Sequence, residues 1–308
     1  MPPRAPVLDP ALLKLWCAEH LGSPPEAELF RSGLLSAVVG LRLADDREVV
    51  VKVRPASPRL VACVEVQRRL YQAGFPCPEP LTDPAPFGDG LATAELYVPG
   101  GAVLPDGDNT SGLFAAAFAL LITQAPRPVD VGSLDPAPSW AAWNHDQDGL
   151  WPRSEDGVDL NAVAGPDWID WAGRCARDRL RADASQAVIG HCDWLAGNLR
   201  WTGDRLLVVH DWDSACADSE AVLAGLAAAL HSTVRPDKQA TVAETERFLD
   251  VYCEARGQAF SIGDLQRSWA AGAWTRAYDA KYQHVIGDPV ACFSENEARE
   301  RLRRAGIG

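Results

Sequence analysis

No stretch of the 308 residues holds the roughly 20 consecutive apolar residues that a membrane-spanning helix needs. Basic residues are in the minority, 29 Lys and Arg against 42 Asp and Glu, for a net charge of -13. That balance argues against a general nucleic-acid binder, which needs basic surface. It suits solubility and tolerates a cationic ligand, because an acidic field concentrates positive charge. The start, Met1-Pro2-Pro3-Arg4-Ala5-Pro6, lacks the apolar core of a secretory signal, and a cytoplasmic location is expected. The eight cysteines contain no C-x-x-C pair and mostly sit in apolar patterns, so they read as small buried hydrophobes. His191, Cys192, His210 and Cys216 make a poor zinc set, since ligands adjacent in the chain are awkward for one tetrahedral ion. Neither an internal repeat nor a low-complexity segment is present.

With 47% hydrophobic residues the chain is long enough for two lobes with a substantial core. Asp9-Pro10 reads as a helix cap followed by proline in the first turn, and Gly22 as the stop. Phe30 to Leu43 reads as a hairpin around Ser32, Gly33 and Ser36, and Glu48 to Val53 as a further strand. Ser57-Pro58 is expected to cap a helix through Glu65 and Leu70 that stops at Gly74. The proline-rich Phe75–Leu81 segment cannot be helical, and strands follow around Leu91 to Val98. Residues 1–98 therefore form a small α+β lobe, with Pro99-Gly100 as the boundary to a mainly helical lobe over 99–308. In the second lobe Ser111 is expected to cap a helix to Gln124, and residues 126–166 read as irregular. Helices are expected over 167–180, 219–233, 242–256 and 263–286.

The most informative stretch is His191-Cys192-Asp193-Trp194-Leu195-Ala196-Gly197-Asn198, followed by a Gly203-Asp204 turn and the apolar run Leu206 to Val209, which leads to Asp211-Trp212-Asp213. A lone H-x-D-x-x-x-x-N match is explained by a surface turn. Followed at this distance by a buried strand ending in a carboxylate, it suits metal-assisted phosphoryl transfer. Asp193 would orient the attacking hydroxyl or accept its proton. Asn198 and Asp211 would supply hard oxygen ligands to magnesium. Asp213 is either an auxiliary acid or a helix-entry residue, and His191 a brace for the loop. Lys52 lies on a strand of valines, where a lone ammonium costs free energy without a partner. Glu65 is the expected partner, and the pair would present the ammonium to nucleotide phosphates. The plain alternative is a solvent-facing strand lysine.

These residues resemble the aminoglycoside phosphotransferase and choline kinase-related family, which has a protein-kinase-like fold. The likeness is carried by the Lys52 strand, the Glu65 helix, the proline segment, Glu95-Leu96-Tyr97-Val98-Pro99-Gly100, and the two motifs at 191–198 and 211–213. It runs from about residue 28 to about 235. It implies an ATP-dependent phosphotransferase with magnesium, in which Leu96 and Val98 offer backbone groups to adenine. By the same likeness Lys52 meets the α and β phosphates, and Asp193 is the catalytic aspartate. The chain departs from the family pattern at Cys192, which replaces a glycine, and at His210, which replaces a branched aliphatic. A histidine beside two carboxylates is expected to make activity pH-sensitive. The turn at Ser32–Ser36 has no G-x-G-x-x-G, which leaves GTP open as a donor.

No glycine-rich loop and no A-P-E segment after Asp211 are present, so a protein kinase is excluded. The acceptor is expected to be a small molecule with a hydroxyl group, an aminoglycoside-like antibiotic being one class. Choline, an amino sugar or an amino alcohol is the alternative, and a nucleotide-binding pseudokinase the second. Trp194, Trp212, Asp213, Asp218, Glu220 and Trp274 are candidate lining residues, since carboxylates with indole rings suit an amine. Core packing is the competing role for each tryptophan.

Overall fold

A computed structural model describes residues 8–33, 35–107, 109–182, 186–233 and 239–308. The first six residues, which bear on location, lie outside that set. Helix α1 (Pro10–Leu21) begins where Asp9 accepts hydrogen bonds from the amides of Ala11 and Leu12, and ends at Gly22 in the left-handed region. Its buried side chains Leu13, Trp16, Cys17 and Leu21 cover one face of an antiparallel sheet. That sheet holds β1 (Pro25–Ser32), β2 (Ala37–Leu43), β3 (Glu48–Pro55), β4 (Ala85–Phe87) and β5 (Gly90–Leu96), in the order β1-β2-β3-β5-β4. Alternation along β3 sends Val49, Val51 and Val53 into the core under α1 and leaves Val50, Lys52 and Arg54 on the opposite face.

Helix α2 (Leu60–Gln72) follows β3, but its core-facing residues Ala62, Cys63, Val66 and Leu70 join the hydrophobic core of the larger lobe. Two tethers reinforce this: Arg59 donates to the carbonyl of Ala215, and the Cys63 thiol to that of Asp213 at 3.7 Å. Ser57 does not cap the helix as expected. The cap position is Arg59, with no side-chain cap bond, and the proline at 58 falls in the preceding turn.

The larger lobe is built on α3 (Thr110–Gln124), α4 (Asp167–Arg181), α5 (Glu220–Leu230), α6 (Val242–Arg256), α7 (Ile262–Ile286) and α8 (Glu295–Arg304). Two small antiparallel pairs carry the site: β6 (Ala187–His191) with β9 (Ala215–Ser219), and β7 (Leu199–Thr202) with β8 (Arg205–Val209). Ser111 is not the cap of α3. It lies one residue inside the helix, where it is buried and hydrogen-bonds His231 at 3.0 Å. Helix α8 is absent from the sequence expectation because it is mostly charged. It is held by Ser294 at its N-terminus, by i,i+4 pairs such as Arg299–Glu295, and by burial of Ala298, Arg301 and Leu302. Strand β9 precedes α5, so the chain passes from Asp213 through an edge strand before becoming helical.

Candidate active site

Strand β6 ends at His191, which is fully buried between Trp194 and Trp212 with ring centroids 5.9 and 5.4 Å away. Its Nδ1 accepts the amide of Asp193 at 3.3 Å, so its Nε2 carries the proton donated to the carbonyl of His210 at 3.0 Å. Burial holds its pKa down at about 4, and a neutral imidazole braces the loop on both sides. The thiol of Cys192 donates to the carbonyl of Ser214 at 3.1 Å. Asp46 and Asp211 are the non-glycine residues with positive φ among those described, so a side chain at 192 costs no backbone strain.

From this loop Asp193 enters a cavity of about 880 Å³ that Lys52, Asn198 and Asp211 also line. Asn198 Nδ2 donates to Asp193 Oδ2 at 2.8 Å and to its carbonyl at 2.9 Å. With the nitrogen so committed, the Asn198 Oδ1 is left to face a ligand. Burial raises the Asp193 pKa to about 6, against the lowering effect of the Asn198 bond. Asp211 sits in the left-handed region at φ 69 and ψ 48, between β8 and a single 3₁₀ turn at Trp212–Ser214. Burial first, and the neighbouring Asp213 second, push its carboxyl up to about 8. Burial also acts to raise Asp213, but the Arg54 guanidinium paired with it outweighs that and holds it low.

Lys52 is buried, with Nζ 3.0 Å from Glu95 Oε1 and 3.9 Å from Asp211 Oδ1. Burial alone would lower its pKa, but Glu95 and then Asp211 reverse the shift and keep it charged. The expected partner Glu65 is not there. It lies on the outer side of α2, paired with Arg69 at 2.6 Å and Arg68 at 2.9 Å. Gln67 faces the lysine instead, donating to Glu95 Oε2 at 3.0 Å and to the carbonyl of Pro78 at 2.9 Å. Two residues along a helix is roughly 200° around its axis, which puts 65 and 67 on opposite sides.

At the adenine end of the expected site, Tyr97, Val98 and Gly100 line the cavity. Leu96 is not among them, and its amide donates to the carbonyl of Glu79 at 2.8 Å, so of its two backbone groups the N–H is committed within the lobe. His210 lines the cavity, but burial and then Lys52 depress its pKa to about 4. That depression moves the pH sensitivity expected of it toward the acidic side.

Of the candidate acceptor residues, Asp213 alone reaches the cavity. Trp194, Trp212 and Trp274 are core, their rings at most 2% exposed. The Trp194 indole donates to the carbonyl of Phe114, the Trp212 indole to that of Val209. Asp218 accepts from the Trp143 indole at 2.7 Å, and Glu220 from Tyr252 at 2.7 Å and Arg256 at 2.8 Å. Both carboxylates tie elements together. The cavity is lined instead by Arg59, Pro138, Trp140 and Glu155, besides the residues already named. Three of these come from the segment that looked irregular, where no period marks an inward face. Arg54, two residues from Lys52 and so on its face of the strand, was open to the alternation argument.

Among the described residues no three His, Cys, Asp or Glu side chains form a metal cage by themselves. Magnesium commonly takes only one or two carboxylates and completes its shell with phosphates and water. The Asn198 oxygen, the Asp211 carboxyl and a buried Asp213 Oδ1 without a hydrogen-bond partner fit such an ion, since they are hard oxygen donors lining one cavity.

None of the curated protein sequences matches the chain significantly. Among solved structures it is similar to an amicoumacin kinase in complex with AMP-PNP, Ca2+ and its ligand, at 13% identity and TM-score 0.61, over 92% of this chain and 88% of that one. A thermostable mutant of the aminoglycoside phosphotransferase APH(4)-Ia, in complex with ADP and hygromycin B, gives 14% identity and TM-score 0.59, over 96% and 99%. A putative fructosamine-3-kinase from Thermobifida fusca gives 17% and 0.58, over 94% and 98%. At these identities the likeness establishes the fold, a two-lobed protein-kinase-like one. The family model of phosphotransferase enzymes matches residues 26–222, well over half of the chain, and on that match the chain belongs to the phosphotransferase enzyme family.

Proposed function

We propose that the protein transfers the γ-phosphate of ATP to a hydroxyl group of a small molecule. The observation that carries this reading is the convergence of Lys52, Asp193, Asn198 and Asp211 on one cavity, although 159 positions separate the first from the last. Residues 1–98 hold the nucleotide, with Val98 and its neighbours against the base and Lys52 on the α and β phosphates. Residues 99–308 carry Asp193 and the acceptor pocket. Asp193 orients the hydroxyl and accepts its proton late, as the loose transition state of phosphoryl transfer requires. Asn198 and Asp211 would hold magnesium, which would supply positive charge to the nucleotide phosphates. Two of the proteins of similar fold, the amicoumacin kinase and the APH(4)-Ia mutant, are complexes with AMP-PNP and ADP, which supports adenine over guanine in the donor.

A cationic acceptor is supported by Trp140 and Glu155, which both line the cavity, since an indole and a carboxylate are groups that take an amine. An amine-bearing antibiotic and an amino sugar or amino alcohol both match that chemistry. The similar folds include an amicoumacin kinase, a putative fructosamine-3-kinase and a choline/ethanolamine kinase family protein alike. The test is magnesium-dependent ADP release across aminoglycosides, other hydroxylated antibiotics, amino sugars and amino alcohols, with Asp193→Ala alongside. Release that needs one acceptor class and disappears in the variant supports the assignment; equal release by both proteins removes Asp193 from its role.

A further inference from the structure

In protein kinases the β3 lysine is held by a glutamate on the following helix, and movement of that helix makes or breaks the pair. Here the helix position facing the lysine holds Gln67, which has no charge to offer. The carboxylate comes from the sheet. In the ladder between β3 and β5, Lys52 stands opposite Thr93 and Val50 opposite Glu95. Glu95 is therefore the diagonal neighbour of Lys52 on the same face, within reach of a long side chain. Each Glu95 oxygen has a partner: Oε1 takes Lys52 at 3.0 Å and Oε2 takes Gln67 at 3.0 Å. The residue is 5% exposed and lines the cavity.

We infer that Glu95 is the positioning residue for Lys52, so that the lysine's carboxylate partner has moved from helix to sheet and Gln67 steadies it from α2. The β3–β5 ladder sets the lysine, and α2 is fastened separately to the larger lobe through Arg59, Cys63 and its apolar face. A shift of α2 then costs Glu95 one hydrogen bond from an uncharged amide and leaves the ion pair in place. The device that lets a kinase helix switch its lysine on and off is absent from this arrangement. The inference rests on Lys52 being the phosphate-binding lysine.

The test is a charge relocation. Glu95→Gln keeps the shape and removes the charge; Glu95→Gln with Gln67→Glu returns the charge from the helix side. Mg·ADP affinity by calorimetry and steady-state turnover are read on both, with melting temperature as the fold check. Glu95→Gln is expected to weaken Mg·ADP about tenfold and lower kcat/KM for ATP about 100-fold, with acceptor KM unchanged, and the double variant to recover most of both. Glu95→Asp, which keeps the charge one methylene short, is expected to fall between, and serves if the glutamine variant fails to fold. Wild-type affinity in Glu95→Gln or in Glu95→Asp, or a double variant no better than the single one, overturns the inference. Wild-type protein that binds Mg·ADP without transferring phosphate refutes the proposed function instead, and the affinity comparison still judges Glu95.

Discussion

Asn198 donates its side-chain amide twice to Asp193, once to the backbone carbonyl at 2.9 Å and once to Oδ2 at 2.8 Å. One residue thus holds the loop closed, aims the carboxylate into the cavity and turns its own oxygen outward. Burial lifts the Asp193 pKa to about 6, so the group is protonated below that pH and charged above it. We expect kcat/KM to rise with pH through an acidic limb near 6 and then level. Asn198→Ala removes the bond that lowers this pKa, and should move the limb upward along with a large loss in rate. A profile flat from pH 5 to 8 would show that Asp193 does not titrate in the free enzyme.

Asp211 combines a required carboxylate with a backbone conformation that most side chains resist, φ being 69. Asparagine tolerates that region and alanine does not, so the two substitutions separate chemistry from strain. Asp211→Asn should lose the magnesium-dependent tightening of nucleotide binding while melting close to wild type. Asp211→Ala should lose both, the backbone term being about 1 kcal/mol. Since burial and Asp213 hold the Asp211 carboxyl high, magnesium must displace a proton, and its affinity should tighten as pH rises. Magnesium titrations at several pH values, with thermal melts, check all three statements.

Helices α5 and α7 meet at Gly225, where an added Cβ would stand 2.1 Å from the backbone oxygen of Ser268 and 2.6 Å from its Cα. Backbone atoms in the middle of a helix cannot step aside. Gly225→Ala should therefore force the helices apart and destabilise by about 3 kcal/mol. Denaturant unfolding would reveal it, and a change under 1 kcal/mol would mean that the helices slide at little cost.

His231 is fully buried, with Nδ1 on the carbonyl of Ala228 and Nε2 on Ser111, each at 3.0 Å. Burial lowers its pKa from 6.5 to about 4. Between those values the unfolded chain binds a proton that the folded one refuses, so stability is whole above 6.5 and declines as pH falls toward 4. The loss from this residue should reach about 2 kcal/mol between pH 7.5 and 5. His191, depressed to about 4 in the same way, adds a second contribution of the same sign. His231→Gln cannot titrate and should show a shallower decline in urea melts across that range; an equal slope would assign the acid sensitivity elsewhere.

Most helices and the first hairpins were legible because their signals are local. Asp9-Pro10 with Gly22 marks both ends of α1 within a few residues of chain. Helix α8 was missed because its surface is nearly all charged and its buried Arg301 does not read as core. Ser57 and Ser111 looked like caps, yet one sits before the turn and the other is drawn inside by His231. Tryptophan was ambiguous by nature: a ring buries against a core or stacks on a ligand with the same chemistry. Trp274 took the first course, beside Trp151, and Trp140 stands at the cavity.

The sequence by itself determined the family and which residues are candidates for its chemistry, since Asp193, Asn198 and Asp211 fall on one loop and the end of one short strand, where spacing along the chain is spacing in space. Tertiary structure alone decided which carboxylate meets Lys52 and which tryptophan reaches the cavity. Both depend on contacts between segments far apart in the chain: the register that sets Glu95 diagonal to Lys52, the rotation of α2 that turns Glu65 outward, and the course of residues 138–155 over the catalytic loop. No local periodicity encodes a pairing of that kind, because its free energy appears only when the two partners are already folded against each other.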